Sequence, residues 1–252
     1  MQQGPAQGRK GADSRIHAMT SPAAARLYAL VPCGGVGERA GTTGPKQYAP
    51  LAGRSLVSHT LAALRAVPRL TATLLVVSPH DAQAEALLPA DALDRRWLAR
   101  VGGATRAATV AAGLEALRER GAVDDDWVLV HDAARALLQP AWVDRLIDAC
   151  EADPVGGLLA LPVSDTLKRD DGEGRVRETV PRQGLWAAQT PQMFRLGLLQ
   201  RALMQAGDRV TDEASAIEAL GLRPRLVLGD ADNLKITWPA DFGLAERLLA
   251  TR

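Results

Sequence analysis

"LYALVPCGGVGERAGTTGPKQY", residues 27–48, joins an apolar run to a loop with five glycines and two cationic side chains, Arg39 and Lys46. The apolar run fits a strand, and the loop is too broken by glycine and Pro45 to continue as a helix. Three kinds of anion-binding loop compete for this pattern. A phosphate loop of the G-x-x-x-x-G-K-[ST] type fails, because Pro45 separates Gly44 from Lys46 and Gln47 stands where a hydroxyl must meet magnesium. A dinucleotide fingerprint matches literally at Gly35-x-Gly37-x-x-Ala40. That motif should enter a helix at once, and a ribose-binding acid should follow about 20 residues on; neither is present. The third reading is a loop that wraps a nucleoside triphosphate. Gly34, Gly35 and Gly37 let backbone N–H groups approach anionic oxygens, and Arg39 and Lys46 add side-chain charge. The carboxyl end of the first strand of a parallel sheet is where such a ligand would sit.

Outward from this stretch, short apolar runs alternate with amphipathic ones. Helices are expected over Ser55–Val67 with Ser55 as N-cap, briefly around Ala82–Leu88, over "TRAATVAAGLEALRER" closed by Gly121, and over "PAWVDRLIDACEAD". Strands are expected over Thr71–Ser78, weakly up to Val101, over "WVLVHD" and over "GGLLALPV". These strands are continuous apolar runs, the pattern of a parallel sheet covered on both faces. After Pro162 the rhythm breaks. "SDTLKRDDGEGRVRETVPRQGLW" is polar and turn-rich and reads as a projecting β-hairpin arm over about 163–186, with Gly172 and Gly174 at its tip. A bare two-stranded arm is marginal in water and gains most by packing on a second subunit. Helices follow at "LGLLQRALMQAG" and "DEASAIEALG", then strands near "RLVLGD" and "LKIT", then a helix from Pro239 to about Leu249.

Bulk composition narrows the field. Of the 252 residues 47% are hydrophobic and 23% charged, ordinary for a globular chain, and a formal charge of +1 gives no global field for nucleic acid or an anionic membrane. Cys33 and Cys150 lack metal-type spacing and read as small buried hydrophobes in a reduced, cytoplasmic setting. No run approaches the roughly 18 apolar residues of a membrane span. Residues 1–25 lack periodicity and an apolar signal region, so they read as a disordered extension or leader ahead of one domain over 26–252.

Six further segments occur in order after the loop: "GGATRAATVAAGL", "VLVHDAARALL", "DTLKR", "WAAQTPQMF", "VTDEASAIEALG" and "GDADNLKIT". Together they closely resemble the 2-C-methyl-D-erythritol 4-phosphate cytidylyltransferases of non-mevalonate isoprenoid synthesis, from Leu27 to the C-terminus. The resemblance implies a Rossmann-like α/β fold, a mostly parallel twisted sheet with helices on both faces. It also implies a homodimer joined through the β-arm, with CTP and a sugar phosphate as substrates and Mg²⁺ as the divalent cation. It places Arg39, Lys46 and Lys235 as catalytic cations on the phosphates. Gly34, Gly35, Gly37, Gly103, Arg106 and Thr109 would bind the nucleotide, and Asp132 would face both the metal and the ribose–triphosphate region. Thr166, Arg182 and Thr211 match positions that meet the sugar phosphate. Departures are Cys33 and Gly34 where alanines are frequent, Ala104 where an acid is frequent, and Pro181 beside Arg182.

These residue types suit phosphate chemistry. A phosphate monoester is mostly dianionic at pH 7, so its oxygen attacks without a general base, and no His–Asp or Ser–His pair is needed. The obstacle is repulsion between two polyanions, which fixed cations and backbone donors relieve. Alternatives stay open at several positions. His131 reads as structural. Lys168 and Arg169 are a solvated face or a site, Thr211 an N-cap or a substrate contact, and Asp230 and Asp232 ligand contacts or turn closers. Asp212 and Glu213 suit a helix dipole. Ribitol 5-phosphate is the rival acceptor, and an NAD(P)-dependent dehydrogenase the rival class.

Overall fold

The computed structural model describes residues 24–35, 44–88, 94, 97–207 and 210–252, together with residues 1 and 4. Its centre is a seven-stranded mixed sheet. In chain order the strands are β1 (Leu27–Cys33), β2 (Pro50–Leu51), β3 (Arg54–Ser55), β4 (Ala72–Val77), β5 (Leu98–Ala99), β6 (Trp127–Val130), β7 (Gly156–Pro162), β8 (Leu167–Asp170), β9 (Val176–Val180), β10 (Trp186–Arg195) and β11 (Arg225–Leu228). The main sheet runs β11-β7-β10-β6-β1-β4-β5. Its neighbours are parallel except β10, which lies antiparallel between β6 and β7.

Helices α1 (Leu56–Arg65), α2 (Ala84–Leu87), α3 (Arg106–Glu119), α4 (Pro140–Cys150), α5 (Leu196–Ala206), α6 (Glu213–Ala219) and α7 (Pro239–Leu249) complete the frame. Period-2 alternation of the strands divides the core into two layers. Ala29, Val31 and Cys33 of β1 join Trp127 and Leu129 of β6 against α1 and α4. Tyr28, Leu30, Val128 and Val130 face the other way, against α3, α5 and α6. Both faces are therefore covered, as the continuous apolar runs require. A smaller cluster of Leu51, Leu56, Ala136, Leu137, Ile236 and Ala245 ties α7 to the loop after β6.

The expected α/β class and nearly all the expected elements are present, with three differences among the described residues. "LKIT" is not a strand: Ile236 N–H donates to Ala134 O at 2.8 Å, so the segment pairs with a loop and not with the sheet. β10 was not anticipated; its core end is the "QTPQMF" stretch that also carries buried Gln189, Thr190 and Gln192. Ser55 occupies the N-cap of α1, yet its hydroxyl bonds the Ser58 hydroxyl at 2.5 Å instead of a backbone N–H. The expected leader and the loop centre carrying Gly37 and Arg39 lie outside the described residues. Among the described residues no helix is long and apolar enough to cross a membrane.

β8 and β9 form an exposed antiparallel hairpin whose tip uses Gly172 and Gly174 at φ +90° and +79°. Lys168 bonds the Thr179 hydroxyl at 2.7 Å and Arg169 bonds Glu178 at 2.7 Å, so both act as cross-strand pairs. Gly156, where β7 begins, contrasts with these tip glycines. Its φ is +103°, and a Cβ there would stand 2.2 Å from the Met193 carbonyl oxygen. Gly156→Ala therefore combines backbone strain with a clash against the sheet, together costing about 2 kcal/mol or more. A drop in Tm of at least roughly 4 °C is expected. Gly172→Ala, at the open tip, should shift Tm by less; differential scanning calorimetry of both variants checks the ranking.

Candidate functional site

The carboxyl ends of β1 and β6 deliver the first parts of the site. β1 ends in Cys33 and runs into Gly34, where a Cβ would meet Thr109 Oγ1 at 2.7 Å. Thr109 is buried on α3, and its hydroxyl accepts from Gly103 N–H at 3.1 Å and donates to Thr105 O at 2.9 Å. The start of the glycine loop is thus seated directly on the α3 N-terminus, which Thr105 caps by accepting from Ala108 N–H at 3.0 Å. Beside it a cleft of about 270 Å³ is lined by Cys33, Gly34, Gly35, Gln47, Ser78 and Asp81. Gln47 Nε2 donates to Cys33 O at 3.1 Å and fixes the returning end of the loop.

β6 ends one residue before His131, and Asp132 becomes the electrostatic centre. Arg106 Nε donates to Asp132 Oδ1 at 2.8 Å, and Lys235 Nζ lies 2.8 Å from Oδ2. Burial alone would raise the Asp132 pKa, but the Arg106 and Lys235 cations outweigh it and hold the carboxyl well below the usual range. Lys46, on a single 3₁₀ turn over Lys46–Tyr48, donates to Ile236 O at 2.8 Å, next to Lys235. Arg135 is buried and donates to Asn233 O at 2.5 Å, and Asn233 Nδ2 donates to Thr190 O at 2.9 Å. The segments around Asp132 and Lys235 are therefore tied together by backbone and side-chain bonds.

The contacts of several residues with open readings are visible here. His131 is fully buried between the Thr190 hydroxyl at 3.1 Å and Arg135 O at 3.3 Å, and burial pulls its pKa down to about 4. It is a structural residue. Asp212, and not Thr211, caps α6, accepting from Ser215 N–H at 2.9 Å, while the Thr211 hydroxyl lies 3.4 Å from Ser215 Oγ. Asp230 Oδ1 accepts from Asp232 N–H at 2.9 Å and closes its turn. Glu213, read from the sequence only as suiting a helix dipole, and Arg135, not singled out there, are both buried; Glu213 accepts from Arg106, and Arg135 donates to Asn233 O beside Lys235.

Lys46, Gly34, Gly103, Arg106, Thr109, Asp132 and Lys235 are brought to one end of the sheet. Thr166 and Arg182 stand exposed on the arm, where Arg182 bonds Ser164 O, and Thr211 is exposed at the α6 entry. Gly37 and Arg39 lie outside the described residues. Among the described residues no cluster of three or more His, Cys, Asp or Glu side chains could hold a metal ion. Asp132 still fits one kind of ion. It is an ionised oxygen donor, and Mg²⁺ commonly takes one or two carboxylates and completes its shell with phosphate oxygens.

The profile of the family described as IspD, 2-C-methyl-D-erythritol 4-phosphate cytidylyltransferase, matches residues 27–251. A protein of that name from Laribacter hongkongensis is 58% identical over 226 residues, covering 89% of this chain and 96% of its own. A bifunctional IspD/IspF enzyme from Albidiferax ferrireducens is also 58% identical, but the match spans 54% of it and 90% of this chain. A crystal structure of a 4-diphosphocytidyl-2C-methyl-D-erythritol synthase superposes with a TM-score of 0.76 at 41% identity, covering 89% of this chain and 98% of the other.

The buried His131 generates a test of the site's acid tolerance. Its folded pKa of about 4 lies below the ordinary 6.5, so its contribution is present above pH 6.5 and lost as pH falls toward 4. The full loss is on the order of 3 kcal/mol. Tm followed from pH 7 to pH 4 should fall, and His131→Asn should flatten that slope.

Proposed function

The chain belongs to the 2-C-methyl-D-erythritol 4-phosphate cytidylyltransferase family and is a nucleotidyltransferase; from that premise we propose how its residues transfer CMP from CTP to the sugar phosphate. A phosphate oxygen of 2-C-methyl-D-erythritol 4-phosphate attacks the α-phosphorus of CTP, the α–β bridging bond breaks, and pyrophosphate leaves. The attacking oxygen is already deprotonated at pH 7. What remains for the protein is positioning and charge. Support comes above all from one observation: Arg106 and Lys235 flank Asp132 beyond the carboxyl end of a strand in a largely parallel sheet, and Lys46 is held beside Lys235 by its bond to Ile236 O.

Gly34, Gly35, Gly37 and Gly103 offer a close backbone approach for the nucleotide, and Thr109 holds that approach in shape. Arg39, Lys46 and Lys235 meet phosphate charge as it shifts toward pyrophosphate. Asp132 orients Lys235 and would hold a magnesium ion arriving with the triphosphate, which supplies charge neutralisation when bound. Thr166 and Arg182 of the arm and Thr211 meet the sugar phosphate. Residues 26–252 form the transferase domain of a cytoplasmic enzyme.

The arm gives a reason to propose a homodimer. Val176 is exposed on a hairpin with no core of its own, and Trp186 at its base is half exposed. Such a hairpin is marginal unless it packs on something.

Removing one charge-stabilising donor costs about 3–4 kcal/mol of barrier. Lys46→Ala and Lys235→Ala are therefore expected to lower kcat on the order of 10²- to 10³-fold, read by pyrophosphate release with the fold checked by circular dichroism. Near-normal rates in both would refute the assignment. Faster turnover with ribitol 5-phosphate would change the acceptor, and tight NAD binding without CTP binding would change the class. Sedimentation at micromolar concentration should give twice the chain mass; a fully active monomer would remove the shared arm.

A further inference from the structure

We propose that Glu213 is a positioning residue of the transfer reaction, acting through Arg106 on Asp132; this rests on the reading of the site given above. In the sequence Glu213 looks like an acid placed to suit the dipole of α6, a role that wants solvent exposure and no partner. In the structure its side chain is 1% exposed and faces inward. Glu213 Oε1 and Oε2 accept from the Arg106 Nη1 and Nη2 groups at 2.6 and 3.0 Å. Nε of the same guanidinium donates to Asp132 Oδ1 at 2.8 Å.

One planar group is thus held on two edges. A guanidinium is a rigid fork, so fixing both Nη atoms also fixes the line along which Nε–H points. That line ends on Asp132, whose other oxygen is with Lys235. With Glu213 gone, the Nη donors would be released to form a two-pronged pair with Asp132. The carboxylate would then be drawn off Lys235, and a surplus cation would be left to grip phosphate out of line. The acid itself is well fixed, because α6 is anchored on both sides of it. Asp212 Oδ2 accepts from Gln192 Nε2 at 2.9 Å, and Gln192 Oε1 accepts from Ala214 N–H at 2.8 Å. Stability alone does not explain the arrangement, since a buried ion pair contributes little beyond an apolar pair of the same volume. What it adds is direction.

The test is a double-mutant cycle of Glu213→Gln and Arg106→Gln, assayed for pyrophosphate release from CTP and 2-C-methyl-D-erythritol 4-phosphate, with Tm measured in parallel. Glu213→Gln is expected to lower kcat fivefold or more while KM for CTP changes less than threefold, the mark of an interaction expressed in the transition state. In the Arg106→Gln background the same change should alter kcat less than twofold, because its route has been removed. A loss below fivefold with only a lowered Tm, a loss confined to KM, or losses that multiply in the double variant would overturn the proposal. Should Glu213→Gln not fold, Arg106→Gln against the charge-balanced double decides alone: equal kcat supports it, a further tenfold loss refutes it. A wild-type chain with no transfer activity would instead sink the reading of the site.

Discussion

The carboxylate of Asp132 is the point at which separate parts of the chain agree on a geometry. It lies two residues past the end of a central strand, and its two oxygens are taken by a helix residue, Arg106, and by Lys235 from the segment after β11. At an effective dielectric near 20 each contact pair is worth about 4 kcal/mol before desolvation is subtracted. Burial opposes the charge, so the cations are a condition of having Asp132 there at all. The backbone follows the charges. Ile236 N–H reaches Ala134 O, Lys46 reaches Ile236 O, and Arg135 reaches Asn233 O, so three stretches of chain share one fixed frame.

Much of this frame was legible in the sequence because it follows from local periodicity. The strands of the parallel part are continuous apolar runs, and the helices carry clear stop signals, such as Gly121 with φ +88° just past α3. β10 escaped because Gln189, Thr190 and Gln192 are polar; those side chains bond Asp230, His131 and Asp212 from other segments and do not face a uniform apolar layer. The error at "LKIT" has the opposite cause. Ile236 is buried beside exposed Lys235, an apolar and polar mix that reads like a short strand, yet the Ile236 N–H goes to a loop carbonyl. Periodicity reports which side faces the core, and it is silent about what the backbone pairs with.

The site divides in the same way. The glycine loop with Lys46 could be picked out as a candidate from its own residues, whereas Gly103, Asp132 and Lys235 were picked out only through the family resemblance. Glu213 was not, because its partner is 107 residues away and nothing near it signals burial. The choice between Thr211 and Asp212 as cap was also beyond the sequence, since both residue types cap well and only backbone direction decides.

A carboxylate amid cations also tempers what those cations can do. Arg106, Lys235, Asp132 and Glu213 together carry two charges of each sign, and the whole chain is formally only +1. A site of bare cations would hold triphosphate and pyrophosphate alike, and such uniform binding lowers KM without raising kcat. With Asp132 already engaging Lys235, a polyanion must offer that lysine a better contact than the carboxylate does. On the reading of the site as a transfer centre, that condition is met best where charge accumulates on the leaving phosphates. The ion cluster then selects for the transition state by weakening the grip on everything before and after it.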